Sequence, residues 1–361
     1  MSGMRSDGGR VVPATVARLP QLDGLRGLAA CGVAFLYHPQ SLFTAQALAN
    51  APRPLPWFQT WGWTLVDLFF LISGYIFAHV YLQGRAFSRD RISSFAVARV
   101  ARLYPLHLVT LAVCAVLFFS DPANTAFAFL AHLFMLQAFV QPVAHTFNGP
   151  SWSISVEVVC YVLFALGACG GKRTLRWVTV LAIVGTILHF GLQGRPGGPW
   201  VGDSLPRGLL GFFLGQMIWR LRDRLADAPS TMLVCLLVFG LALDMGEMSP
   251  LLPLCLYAWP ALMLLAMRSR WMGSAPMRWL GDRSYAIYLV HYPLLVLVER
   301  WWSPFDGGMG TVWAVTGCFA VAALVLADLS YRLIELPARK AIRGAWARRE
   351  QAGKAGAASL A

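Results

Sequence analysis

The chain has 361 residues, 57% of them hydrophobic and only 13% charged, with 14 Trp and 22 Phe, yet 30 Lys and Arg against 17 Asp and Glu leave a net charge of +13. Soluble domains carry about 25% charged and about 45–50% apolar residues, so a water-exposed globule, a disordered chain and a fibrous repeat are all excluded. A nucleic-acid partner would need the basic residues gathered on a polar module; none is visible, and a membrane protein with cytoplasmic arginine clusters is expected instead.

Residues 1–20 are polar and lack a hydrophobic segment, so no cleavable signal is expected ahead of the first apolar run. Crossing about 30 Å of hydrocarbon takes roughly 17–25 apolar residues. Such runs fall at 22–46, 57–82, 103–120, 124–141, 151–170, 175–192, 205–219, 230–247, 250–267, 284–300 and 309–332. Basic loops stay in the cytoplasm. The stretch holding Arg85, Arg89, Arg91, Arg99 and Arg102 is basic, as are the connections at Lys172/Arg173/Arg176, Arg220/Arg222/Arg224 and Arg268/Arg270/Arg278/Arg283. All fall on one side only if 124–141 does not cross, which its histidine-bearing flanks and Pro142 suit.

The expected fold is therefore all-α and polytopic, with ten transmembrane helices, one re-entrant or interfacial segment and both termini cytoplasmic. Of the 30 Lys and Arg, only Arg53, Arg195, Arg207 and Arg300 then lie on the outer side or its edge; Arg26 and Arg332 sit in or near helices, and 24 lie inside. No linker or repeat divides the chain, so we expect tails at 1–20 and 338–361 around one membrane domain over 21–337. Cysteines 31, 114, 160, 169, 235, 255 and 318 lie in apolar runs without a paired motif, as small buried hydrophobes do.

Ionisable groups in a bilayer cost several kcal/mol, so each marks a candidate site. The first run carries Arg26 near the cytoplasm and His38 roughly 18 Å further along a helix rising 1.5 Å per residue. A deep histidine can move a proton or can simply bond a neighbouring backbone group. Glu157, two turns into the fifth run, is expected at the depth of His38 as its acid/base or orienting partner, or as a helix tie to an Arg or Tyr; Ser153 shares its face. Asp67 has no obvious proton partner and serves either catalysis or a structural bond to Trp indole or backbone. Ser284, Tyr288 and His291 recur at i, i+4 and i+7, one polar stripe for binding or for helix packing. Arg99 and Arg102, three apart at the cytoplasmic mouth, suit phosphate clamping or plain topology. The histidines have no ligand spacing, so no metal is implied.

The segments LDGLRG…YH, VDLFFLISGY, RVARLYP, NGPSWSISVE, LGDRSYAIYLVHYP and SYRLIELP, in this order from Leu22 to Pro337, resemble the bacterial membrane acyltransferase-3 family. The resemblance implies an enzyme of the bacterial inner (cytoplasmic) membrane that moves an acyl group, often acetyl, from cytoplasmic acyl-CoA to a carbohydrate or glycosylated hydroxyl. Acyl-CoA is then a co-substrate, with no bound cofactor. It also implies that Arg26 and His38 are essential, that Arg99 and Arg102 are the family's paired arginines, and that Glu157 belongs to the site. Family members place ten residues between the Arg and the His; here there are eleven. On a regular helix that turns His38 about 120° from Arg26, and a π-bulge near Cys31 and Gly32 would restore the alignment.

On this reading Arg99 and Arg102 anchor CoA phosphates and Arg26 steers the acyl end inward. His38 is the general base or a transient acyl carrier, with Glu157 orienting it. Ser284, Tyr288 and His291 are candidates for the oxyanion. The alternatives are an ion-coupled transporter or flippase using Arg26, Glu157 and Asp67, and a non-catalytic scaffold of a glycan-assembly complex.

Overall fold

The computed structural model describes residues 18–49, 51–52, 55–83, 87–193, 198–199, 201–243 and 251–358. Residues 1–17 of the expected tail, Arg53, Arg85 and Arg195, and the 244–250 stretch that ends the eighth run, lie outside the described residues. Among the described residues every regular element is helical. Leu55–Leu82, Ile92–Leu117, Gly149–Cys169, Gly171–Leu192, Leu251–Arg268 and Met309–Ala352 are each long and apolar enough to cross a membrane. Their outward faces are greasy: Phe119 is 78% exposed and Leu192 84%. Such a surface is stable against lipid and not against water.

The helices that position the site include α1 (Pro20–Cys31), α2 (Leu65–Leu82), α3 (Ile92–Leu117) and, further along the chain, α5 (Trp152–Cys169). Between the last two, α4 (Ala126–Leu133) has only 8 residues. At 1.5 Å per residue it is about 12 Å long, less than half the hydrocarbon thickness. The hydroxyl of Thr125 caps its start by accepting from the Ala128 amide at 3.1 Å. Its end is set by Met135, which takes a positive φ of 55°. Further along come α6 (Gly171–Leu192), α7 (Val201–Arg220), α8 (Ser230–Ala242), α9 (Trp259–Arg268), α10 (Ala275–Trp302), α11 (Met309–Ser330) and α12 (Leu336–Ala358).

Two close helix crossings set the frame, both at glycines. A Cβ on Gly27 of α1 would lie 2.7 Å from the Gly281 amide of α10, and one on Gly281 would lie 2.3 Å from the Asp23 carbonyl. On α2 and α7, Gly74 faces the Phe212 carbonyl and Gly215 the Leu71 carbonyl, with room for no side chain. Small residues let backbones meet where lipid supplies no hydrophobic drive between helices. The first crossing brings Arg26 to Ser284, and the second brings Asp67 to Arg207.

Several helices begin earlier than the apolar runs that announced them. The 103–120 run belongs to a helix starting at Ile92, so Arg99 and Arg102 sit well inside a helix and not in a loop. The 284–300 run starts at Ala275 and includes Arg278 and Arg283. Charges that cut a hydropathy window are tolerated here because they are paired: Arg102 with Glu335, and Arg283 with Asp328.

Candidate active site: two cavities divided by Tyr288

The first helix does not run straight from Arg26 to His38. Gly32–Tyr37 is a π-helical turn, and His38 opens a 3-10 segment ending at Leu42. The extra residue between the two polar groups is thus absorbed in a π-turn that begins at Gly32, where the bulge was expected. Arg26 donates from Nε to Ser284 Oγ at 3.0 Å, and from Nη2 to Asp23 Oδ1 at 3.1 Å and the Gly281 carbonyl at 3.3 Å.

Arg26 lines a cavity together with Arg99, Arg102, Ser153, Glu157 and Ser284. Arg102 donates from Nη1 to Glu335 Oε2 at 2.8 Å and lies over the Tyr285 ring. Arg99 stacks over Phe77, 4.9 Å from its centroid, and over Tyr161 at 5.8 Å. Its buried Nε has no hydrogen-bond partner among the described residues. Glu157 accepts from Ser73 Oγ at 2.9 Å and from the Tyr161 hydroxyl. Asp23 and Glu335 pair with Arg26 and Arg102, so the guanidinium in this cavity without an ion pair among the described residues is Arg99, with Glu157 on the same wall.

His38 lines a second cavity, walled by Tyr37, Trp63, Trp152, Arg207 and Tyr292. Its Nδ1 is 2.9 Å from Nε2 of the buried His291, whose own Nδ1 is 3.0 Å from the Ile287 carbonyl. A carbonyl only accepts, so His291 Nδ1 carries a hydrogen and, in the neutral ring, Nε2 offers a lone pair. His38 Nδ1 therefore donates to it. That leaves the lone pair of His38 on Nε2, the atom a base or nucleophile uses.

Tyr288 and Val66 line both cavities. The Tyr288 hydroxyl donates to the Pro150 carbonyl at 3.0 Å and accepts from Ser153 Oγ at 3.2 Å. The stripe on α10 faces inward along its length: Ser284 meets Arg26, Tyr288 meets Ser153, and His291 meets His38.

Two expected partnerships need correction. Glu157 does not meet His38; the two line different cavities, with Tyr288 and Ser153 between them, and the partner of His38 is His291. Asp67 is not bonded to an indole. It takes a bidentate pair from Arg207, Nε to Oδ1 at 3.0 Å and Nη2 to Oδ2 at 2.9 Å, both residues being fully buried. Arg207, expected at the outer edge, sits between Trp63 and Trp152, 4.5 and 5.1 Å from their centroids. The 205–219 run starts late, which made Arg207 look terminal, whereas its helix begins at Val201. Arg207 and the aromatic wall were missed; a lone Arg and a lone Asp in two apolar runs were the available signal.

A family model described as an acyltransferase domain matches residues 19–332. The chain is 28% identical to the acyltransferase MdmB of Streptomyces mycarofaciens, over 90% of this chain and 93% of that protein. It is 26% identical to the putative peptidoglycan O-acetyltransferase YrhL of Bacillus subtilis, over 89% of this chain and 55% of YrhL. With the peptidoglycan O-acetyltransferase OatA of Listeria monocytogenes it shares 24%, over 89% of this chain and 56% of OatA. The chain thus spans little more than half the length of these two O-acetyltransferases. No solved structure matches it. With six apolar spans and relatives of this kind, the chain is a multi-pass membrane protein and belongs to the acyltransferase-3 family.

Proposed function

We propose that the protein crosses the bacterial cytoplasmic membrane ten times, with both termini inside, and transfers an acyl group, acetyl in the simplest case, from cytoplasmic acyl-CoA to a hydroxyl of a carbohydrate or glycosylated acceptor. The observation that carries the reading is the series of two cavities, one rich in guanidinium and one holding a histidine with a free Nε2, joined at Tyr288. The O-acetyltransferase names of YrhL and OatA support acetyl and hydroxyl as the partners. Ten crossings follow if Val201–Arg220, Ala275–Trp302, the first helix and Ser230–Ala242 join the six apolar spans while the 8-residue α4 stays out.

In this mechanism Arg99 and Arg102 attract the phosphates of the donor. Arg26, tied to Ser284 and Asp23, guides the thioester toward Tyr288. The acceptor hydroxyl enters the aromatic cavity, where His38 Nε2 removes its proton as the oxygen attacks the thioester carbon. The Tyr288 hydroxyl, which can turn from Pro150, donates to the resulting oxyanion. Collapse breaks the carbon–sulfur bond, and the imidazolium returns its proton to the departing thiolate. The products are the O-acyl ester and free CoA thiol. His291 holds the tautomer of His38 throughout, and Glu157 balances the guanidiniums.

A deletion strain restored with wild type or with His38→Ala, compared by mass spectrometry of surface glycans and secreted metabolites, tests this. The expected result is an acylated species present with wild type and absent with the variant. Identical profiles from the two, or substrate movement across the membrane without acyl transfer, would overturn it.

A further inference from the structure

The family model ends at residue 332, and the last helix lies beyond it. The α12 helix follows a π-turn, Tyr331–Glu335, and packs along α3. The crossing is pinned by Arg102 and Glu335 at 2.8 Å. Arg339 and Arg343 are four apart on α12 and share a face. Arg339 interacts electrostatically with Glu335, and Arg343 with Arg99, Arg102 and Arg339. Three carboxylates, Asp23, Glu157 and Glu335, therefore serve five arginines, Arg26, Arg99, Arg102, Arg339 and Arg343, and Glu157 is already bonded to Ser73 and Tyr161. Like charges gathered beside a low-dielectric cavity repel strongly unless a polyanion neutralises them. The exposed Arg343 and half-buried Arg339 stand outside the basic cavity, while Arg99, with its unpartnered Nε, stands inside it.

We infer that Arg339 and Arg343 of α12 form the binding site for the phosphorylated ribose end of the donor's nucleotide, continuous with Arg99 and Arg102, which take the diphosphate that leads into its thiol-bearing arm. The inference rests on the acyl-CoA reading above. It divides the donor along its length: ribose phosphate on the last helix, diphosphate at Arg99 and Arg102, arm between α3 and α10, thioester at Tyr288. Anionic lipid headgroups have the same phosphate chemistry, and the test separates the two sources.

The full-length protein is reconstituted in phosphatidylcholine nanodiscs, with and without anionic lipid, and acyl transfer or hydrolysis is followed with acetyl-CoA and with acetyl-pantetheine, which lacks the nucleotide. In the Arg339→Ala/Arg343→Ala protein the KM for acetyl-CoA should rise about 10- to 100-fold, as loss of charge-assisted phosphate contacts implies. The kcat and the KM for acetyl-pantetheine should stay at wild-type values, and Arg339→Lys/Arg343→Lys should recover part of the loss. An unchanged KM for acetyl-CoA in the double alanine variant would overturn the inference while leaving the donor reading intact. So would a rise confined to nanodiscs with anionic lipid, or an equal rise for both donors. Wild-type protein that turns over neither donor would overturn the donor reading itself.

Discussion

The cavity around Arg26 gathers three guanidiniums with Glu157, whereas the cavity around His38 is walled by Tyr37, Trp63, Trp152 and Tyr292 and keeps its one ion pair, Arg207 with Asp67, closed on itself. The two share Tyr288 and Val66. Arg99, a guanidinium without an ion pair among the described residues, favours an anionic ligand, and a closed pair leaves no charge to spare. The difference teaches how one bundle keeps binding and proton transfer apart. Charge recruits at one end, and a neutral histidine with a fixed tautomer works at the other, where unbalanced charge would disturb it.

The comparison breaks most visibly at His38. The His38→Ala protein should lose about 10²- to 10⁴-fold in kcat, the range of a general base, with donor affinity unchanged when measured by labelled-donor binding. A loss of affinity of similar size would merge the two cavities into one functional unit. Next in size is the closed pair. Asp67→Ala leaves Arg207 buried and unpaired, which should cost about 3–5 kcal/mol of stability, read as a lower unfolding temperature in detergent. An Asp67→Leu/Arg207→Leu double variant should regain much of that.

Smaller effects sharpen the division. His291→Leu removes the acceptor that holds His38, so kcat should fall about 10- to 100-fold, as for other histidine-orienting partners. His291→Gln, which retains an acceptor oxygen, should recover part of it with donor KM constant. Arg99→Ala should do the reverse, raising donor KM about 10-fold, worth about 1.4 kcal/mol, with kcat nearly kept.

Much of this arrangement was legible in the residues alone, for identifiable reasons. The surplus residue between Arg26 and His38 demanded a helix defect, and a π-turn from Gly32 to Tyr37 supplies it. The spacing of Ser284, Tyr288 and His291 required one face, and all three point inward. What escaped was the offset along the bundle. Glu157 and His38 were expected at one depth, yet they line cavities that follow one another along α10 with Tyr288 between, and His291 is the partner of His38. The Asp67–Arg207 pair joins residues 140 apart in sequence, a contact set by the glycine crossing of α2 and α7. Arginines also cut hydropathy windows short, which hid that Arg99 and Arg102 lie inside a helix.

The most direct test of the account is CoA release by purified protein in proteoliposomes given labelled acetyl-CoA, with wild type, His38→Ala and Arg99→Ala side by side. The account predicts thiol release by wild type, none above background by His38→Ala despite normal donor binding, and release by Arg99→Ala that recovers at high donor concentration. Equal release by wild type and His38→Ala would contradict it.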